Sequence, residues 1–318
     1  MSHDAAPVCN TPVRVAIGPE LPEFGSWMWL GNDLATSLPN QWQTTTFRET
    51  VPDSDIVIFI KFLPSEEVLR AVAARSAVIF CPVDVYGSAA AIDCDAGRLR
   101  HCDRIVAHAQ RLVRYFTAYA PTTYLDHHIK YVLPTRTEPV ESGPVLWVGE
   151  RSNLGPLVDW MNAGVLPHPW PLVVLTNFEG VAPTPVDLGF RGNLVVNVER
   201  WSPESHLEWL RRCRAALDIK GNDFRARHKP PAKALDYLAS GIPLAINADS
   251  SSVEHLRNMG FEVATPDDTA MWFSHEYAME TARFGRTVND LLSLRRINIR
   301  WQWLLRDVFA ANRHARVA

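Results

Sequence analysis

Residues 219–245, IKGNDFRARHKPPAKALDYLASGIPLA, carry in one run the end of an apolar strand, a cation-rich loop, a helix and the return into another strand. Pro230 and Pro231 suit a helix start, because proline's fixed φ is helical and its missing N–H is not needed there. Gly241 suits the helix end, and the apolar residues 242–246 begin the next strand. Lys229, Lys233 and Asp236 are spaced four and three apart, so they share one helix face near its N-terminal side. Two ammonium groups beside a helix start form a site for a diphosphate, and a carboxylate one turn deeper is placed to accept hydrogen bonds from sugar hydroxyls. The other reading of the same spacing is a solvated surface helix with a Lys233–Asp236 ion pair.

Outward from this stretch, apolar runs of strand length alternate with helical segments. Strands are expected at 13–17, 44–47, 56–60, 78–81 and 104–107, and again at 145–148, 172–175, 194–197, 215–219 and 243–246. Helices are expected at 29–37, 66–74, 89–99 and 109–118, then at 154–163, 204–212 and 231–239. Apolar strands separated by helices indicate parallel sheets covered on both faces. The polar, Pro- and Gly-containing segment TRTEPVESG, 135–143, falls where the first series stops and reads as the linker. The pattern is α/β: two Rossmann-like domains, with a ligand crevice outside the carboxyl ends of their strands. Neither half carries GxGxxG after its first strand, and GxxxxGK[ST] is absent, which argues against an NAD enzyme and a P-loop NTPase.

The totals narrow the class further. A chain of 318 residues is long enough for two domains, and a net charge of −3 argues against a nucleic-acid binder. The opening MSHDAAPVCNTP lacks a basic region followed by an apolar run, and no stretch has the length of an apolar membrane span. Cys9, Cys81, Cys94, Cys102 and Cys213 have no paired or metal-ligand spacing, so they read as reduced thiols, without a metal site or cofactor, in a cytoplasmic protein.

Three segments of the second half resemble the nucleotide-sugar domain of GT-B glycosyltransferases, and are similar to glycosyltransferase family 4. They are GPVLWVGERSNLGPLVDWM, VVNVERWSPESHLEWLRRCRAALDIK and HKPPAKALDYLASGIPLAINADSSSVEHL, within roughly residues 143–267. The resemblance implies a GT-B fold: an N-terminal acceptor domain (1–138), a C-terminal nucleotide-sugar domain (143–285) and terminal helices (286–318) crossing back to the first domain. It implies metal-independent sugar transfer from a nucleotide-sugar donor to a glycan, lipid-linked or small-molecule acceptor. Asp236 sits where the family commonly has a ribose-binding glutamate, Lys233 is placed for the phosphates, and Arg151 resembles the cation that contacts the diphosphate. His228 stands where the family often has a glutamate touching the donor sugar, and Lys229-Pro230-Pro231 replaces a glycine-rich turn, exchanging amide donors for lysine charge. On this reading, loss of Lys233 or Asp236 cuts turnover and leaves the fold intact. A sugar-nucleotide epimerase and a non-catalytic nucleotide-sugar-binding subunit are the alternatives.

Other residues follow from position. Arg225 and Arg227, in the loop after the strand ending near Ile219, are placed to stabilise a leaving group. Ser251 and Glu254 match a capping box, whose exposed N–H groups are also placed for phosphate. Asp84, after the strand 78–81, is placed as a general base. Trp27 and Trp29 read as packing residues with a stacking alternative. His127 and His128 are neighbours pointing opposite ways. Asp93, His101 and Asp103 read as helix and cap residues. The arginine-rich tail 283–318, with Leu291, Ile297, Trp301, Leu305 and Phe309 interleaved, reads as amphipathic helix packing on the first domain, with a peripheral membrane contact as the second reading.

Overall fold

The computed structural model describes residues 12–164, 170–192 and 194–317; Cys9 and the rest of the N-terminal stretch lie outside the described residues. The first sheet is parallel, in the order β2-β1-β3-β4-β5-β6. Its strands are β1 (Val13–Gly18), β2 (Trp42–Thr46), β3 (Ile56–Ile60), β4 (Ala77–Cys81), β5 (Arg104–Ala107) and β6 (Thr122–Tyr124). The second is also parallel, in the order β11-β10-β7-β8-β9. Its strands are β7 (Val145–Val148), β8 (Leu172–Thr176), β9 (Val196–Arg200), β10 (Ala215–Asp218) and β11 (Leu244–Ile246). The central runs IVIFI and AVIFC are buried at every position, as expected of strands covered on both faces.

Several elements differ from the expectation, among them the strand expected at 194–197, which runs Val196–Arg200. Strand β6 was not anticipated, because TTY is short, partly buried and at a sheet edge. The helix expected at 29–37 begins at Gly25 and passes through a π-type turn, Met28–Asn32. Here Gly31 lies against the Trp27 ring, and an added Cβ would come within 2.2 Å of it. The helix expected at 89–99 breaks at Asp95, whose carboxylate accepts from Tyr86 and Arg98.

In each sheet the chain reverses direction beside its first strand, and such a switch point leaves a crevice at the carboxyl ends. The switch lies between β1 and β3 in the first sheet and between β7 and β10 in the second. The two halves meet through residues 125–136, which lie along the helix Ala232–Ala239. The Leu133 amide donates to Ser240 Oγ, Thr135 Oγ1 donates to the Ala239 carbonyl, and the Arg136 guanidinium binds the carbonyls of Leu210 and Cys213. The start of the expected linker is thus docked on the second half. Gly241, at φ +71°, ends the helix against this segment, where an added Cβ would lie 2.8 Å from the Arg136 amide nitrogen.

The helix His275–Leu292 packs on Ala232–Ala239, and the chain turns at Ser293 into the helix Leu294–Val317. That last helix returns to the first sheet. Ile297, Trp301, Leu305 and Val308 are buried, and Arg104–Asp307 (2.6 Å) and Asn298–Ser37 (2.7 Å) tie its flank. The crossing therefore falls at Ser293, a little later than the sequence boundary at 286. Two Rossmann-like domains facing across a cleft, with a terminal helix crossing back, form the GT-B architecture.

Candidate functional site

Strand β10, AALD, is buried throughout and ends on a carboxylate, Asp218, only 3% exposed. Three ammonium groups gather near it at the switch point of the second sheet. Lys220 Nζ lies 3.2 Å from one Asp218 oxygen and donates to Ser252 Oγ (2.8 Å). Lys233 Nζ lies 3.9 Å from the other oxygen and donates to the Val148 carbonyl at the end of β7 (2.6 Å). Lys229 donates to Asn153 Oδ1 (2.7 Å) in the loop after β7. Asn247, after β11, accepts from the Lys220 amide (2.9 Å) and donates to its carbonyl (3.2 Å), which fixes the loop after β10.

Burial works to raise the Asp218 pKa, but Lys220, Lys233 and Lys229 together hold it below the ordinary carboxylate value. Burial pulls Lys233 down to about 8 despite Asp218, and it also lowers Lys229. Three ammonium groups thus gather around one inner carboxylate, with Asp84, Asp223 and Glu150 also acting on the lysines. Asp218 and Lys220 went unnoticed in the sequence. The available signal was a charge closing an otherwise apolar strand.

The first sheet answers from across the cleft. Lys61 and Val83 are the non-glycine residues at positive φ (61° and 55°) among the described residues, and they follow the adjacent strands β3 and β4. Such strained backbone costs about 1–3 kcal/mol per residue and clusters at functional sites. Here it accompanies an ion pair from Lys61 Nζ to Asp84 Oδ1, 2.7 Å long and largely shielded, with Lys61 Nζ 4.7 Å from the centre of the Phe24 ring. Asp84 acts electrostatically on Lys229, opposing the effect of burial on it. Arg225 reaches from the second domain to the Val85 carbonyl (3.2 Å), and Arg111 reaches from the first to Glu254 (2.6 Å) and the Asp249 carbonyl (2.9 Å).

Of the residues named from sequence, Lys229 and Lys233 lie at the lysine cluster, while Asp84 and Arg225 lie on the facing surfaces. Arg151 is exposed in the loop after β7, its amide donating to Asn177 (2.8 Å). Asp236 is a correction. It is 1% exposed, and its two carboxylate oxygens accept the backbone N–H groups of Lys130 (2.8 Å) and Tyr131 (3.3 Å), so it clamps the crossing segment and is closed to a ribose. The Lys233–Asp236 ion pair does not form either, since Lys233 turns to Val148 and Asp218.

Ser251 is also corrected. Ser250 caps the helix Ser251–Asn258, Ser251 Oγ donates to the Lys229 carbonyl (2.8 Å), and Glu254 pairs with Arg111 instead of closing a capping box. His228 stacks on Phe224 (4.1 Å between ring centres), with Nδ1 2.6 Å from the Phe224 carbonyl. Burial lowers its pKa, so the imidazole is neutral, with Nδ1–H donating to that carbonyl. Arg227 pairs with Asp249 at 2.9 Å.

Trp27 is buried, and Trp29 donates to the His128 carbonyl (2.9 Å), so both serve in packing. The adjacent histidines diverge: His128 binds Asp33 (2.9 Å), and His127 stacks on His108 (4.3 Å). Asp103 accepts from the Val78 amide and Asp93 from Tyr119, both structural roles. Among the described residues, no three His, Cys, Asp or Glu side chains group to hold a metal ion.

No protein-family model and no curated protein matches this sequence. Solved structures do match its fold. One is AviGT4, a glycosyltransferase involved in avilamycin A biosynthesis, which is 14% identical with a TM-score of 0.59 over 94% of this chain and 99% of that one. Another is the α,α-trehalose 6-phosphate synthase of Burkholderia multivorans, 12% identical with a TM-score of 0.62 over 84% and 73%. The N-terminal domain of Candida albicans trehalose-6-phosphate phosphatase is 10% identical, with a TM-score of 0.65 over 96% and 98%. At these identities the likeness establishes the shared GT-B fold.

Proposed function

We propose that this chain is a glycosyltransferase that moves a sugar from a nucleotide-sugar donor to an acceptor hydroxyl. One observation carries the reading: Lys220, Lys229 and Lys233, gathered around ionised Asp218 at the switch point of the second sheet, face the Lys61–Asp84 pair of the first. The lysines neutralise the diphosphate that accumulates charge as the glycosidic bond breaks, supplying electrostatic stabilisation without a metal. Each such group is worth about 10²–10³ in rate where the site excludes water. Asp84, held by Lys61, is the general base for the acceptor hydroxyl, and Arg225 adds positive charge at the cleft. Closing the cleft removes water and limits donor hydrolysis. Similarity of fold to proteins described as a glycosyltransferase and a trehalose 6-phosphate synthase supports the reading.

The test is a thermal-shift screen against UDP, GDP, ADP, CMP and dTDP sugars, since a ligand that prefers the folded state raises the melting midpoint. It is followed by chromatography of the stabilising donor incubated with and without sugar, lipid-linked and small-molecule acceptors. A raised midpoint with acceptor-dependent release of the nucleotide is expected. Isomerised donor without an acceptor identifies an epimerase, and binding without turnover identifies a binding subunit. No stabilisation by any nucleotide sugar would sink the proposal.

A further inference from the structure

The helix Leu294–Val317 buries one face on the first domain and leaves the other without protein cover. Trp303 is 67% exposed and Ile299 is 39% exposed, and Leu291, just before the helix, is 44% exposed. At 3.6 residues per turn, positions 295, 299, 303 and 306 follow one another along a single stripe. Ile299 and Trp303 therefore stand in a row with Arg295 and Arg306, and Arg296 lies on the other flank; all three arginines are exposed. Arg306 also sits against the Trp303 ring, at 6.0 Å.

The helix carries Arg295, Arg296, Arg300, Arg306, Arg313 and Arg316 against Asp307 alone, although the whole chain is at −3. Asp307 is held by Arg104, and Arg300 by Asp126 (2.7 Å). Arg295 and Arg296 have no acidic partner among the described residues. A large aromatic and an aliphatic side chain flanked by arginines without acidic partners is the chemistry of a helix lying in a bilayer interface, its apolar row among the acyl chains and its cations at anionic headgroups.

We infer that the outer face of this helix is a docking surface for an anionic lipid bilayer, on which the protein lies without crossing. No helix among the described residues is long and apolar enough to span a membrane. A second copy packing on the same row would bring Arg295 and Arg306 against their own kind. A nucleic acid would meet the arginines but would leave Ile299 without apolar cover.

The test uses the full chain and large vesicles of phosphatidylcholine, alone or doped with phosphatidylglycerol. Sedimentation with the doped vesicles only, reversed by high salt, is expected. Arg295→Gln and Arg306→Gln should each weaken binding about fivefold, as a basic residue near an anionic surface does. Joint replacement of Ile299 and Trp303 by serine should abolish it while leaving thermal midpoint and sugar transfer unchanged. Brominated acyl chains should quench part of the tryptophan emission, and Trp303→Phe should remove that part while the protein still sediments.

Failure to bind doped vesicles overturns the proposal, as does equal binding to neutral ones or binding indifferent to these substitutions. Dimerisation that the serine variant abolishes would assign the face to self-association. An RNA duplex bound as tightly as the vesicles would assign it to nucleic acid.

Discussion

Asp218 and Asp236 are two carboxylates of one domain, both almost fully buried, and their surroundings drive them in opposite directions. Burial raises the pKa of each. At Asp218 the three ammonium groups overcome it and the group stays ionised. At Asp236 the partners are chiefly the amides of Lys130 and Tyr131, burial wins, and the pKa rises to about 7. Full opposing charges offset desolvation where a pair of amide dipoles does not. The first carboxylate organises cations at the mouth of a cleft, and the second fastens the segment that joins the two domains.

The most disruptive way to probe this contrast is Asp236→Ala. It leaves two buried N–H groups without acceptors, at about 1–3 kcal/mol apiece, so urea unfolding should show a loss of about 3 kcal/mol. Donor affinity, measured by calorimetry on the folded variant, should stay within about twofold of wild type, because the remaining site is untouched. Unchanged stability with lost donor binding would return Asp236 to the ribose.

Lys233→Ala should act on turnover. On the proposed mechanism, removing one cation that faces the developing diphosphate charge should lower kcat/KM about 100-fold. A variant with wild-type turnover would take Lys233 out of the mechanism and leave the lysine cluster a structural charge network.

The contrast also shows where the sequence was legible. Apolar runs such as IVIFI and AVIFC have few alternatives to buried parallel strands, so the two-sheet architecture could be read directly. The position of Lys229 and Lys233 beside a helix start behind a strand could be read, because local signals fix that start. Asp236 misled because helix spacing says which residues share a face but not what covers that face. Its cover, the backbone of Lys130 and Tyr131, lies more than a hundred positions away. Asp218 was hidden for a different reason: Lys220, Lys229 and Lys233 follow it closely in the chain, but only the folding back of the loop after β10 and of the helix behind it brings them to the carboxylate. Ser251 failed more locally, since Ser250 and Ser251 both fit a cap and tertiary contact with Lys229 decided between them.

A finer test is the pH dependence of stability. The Asp236 carboxyl, at about 7 when folded against an ordinary 3.8, keeps a proton that the unfolded chain has already released between those values. Native protein thus binds more protons in that window, and stability assigned to this group falls as pH rises from about 4 to about 7, by at most about 1.4 kcal/mol per pH unit. In paired urea titrations, wild type should lose stability relative to Asp236→Asn across the window. A difference that does not vary with pH would mean the carboxyl is ionised throughout.

The smallest effect separates the two regions by charge state at the site itself. Lys233 is pulled down to about 8 from 10.5, so above about pH 8 the native protein loses a proton that the unfolded chain retains. Stability from this group therefore rises across the interval up to 10.5, while the charge offered to the donor disappears. The logarithm of kcat/KM, which reports groups of the free enzyme, should begin to fall near pH 8. In Lys233→Arg the guanidinium remains charged, so the same profile, scaled to its value at pH 7, should hold level for about one further pH unit. Coincident wild-type and arginine profiles would assign the fall to Lys229, which burial also lowers, and would leave Lys233 as a contact to the Val148 carbonyl.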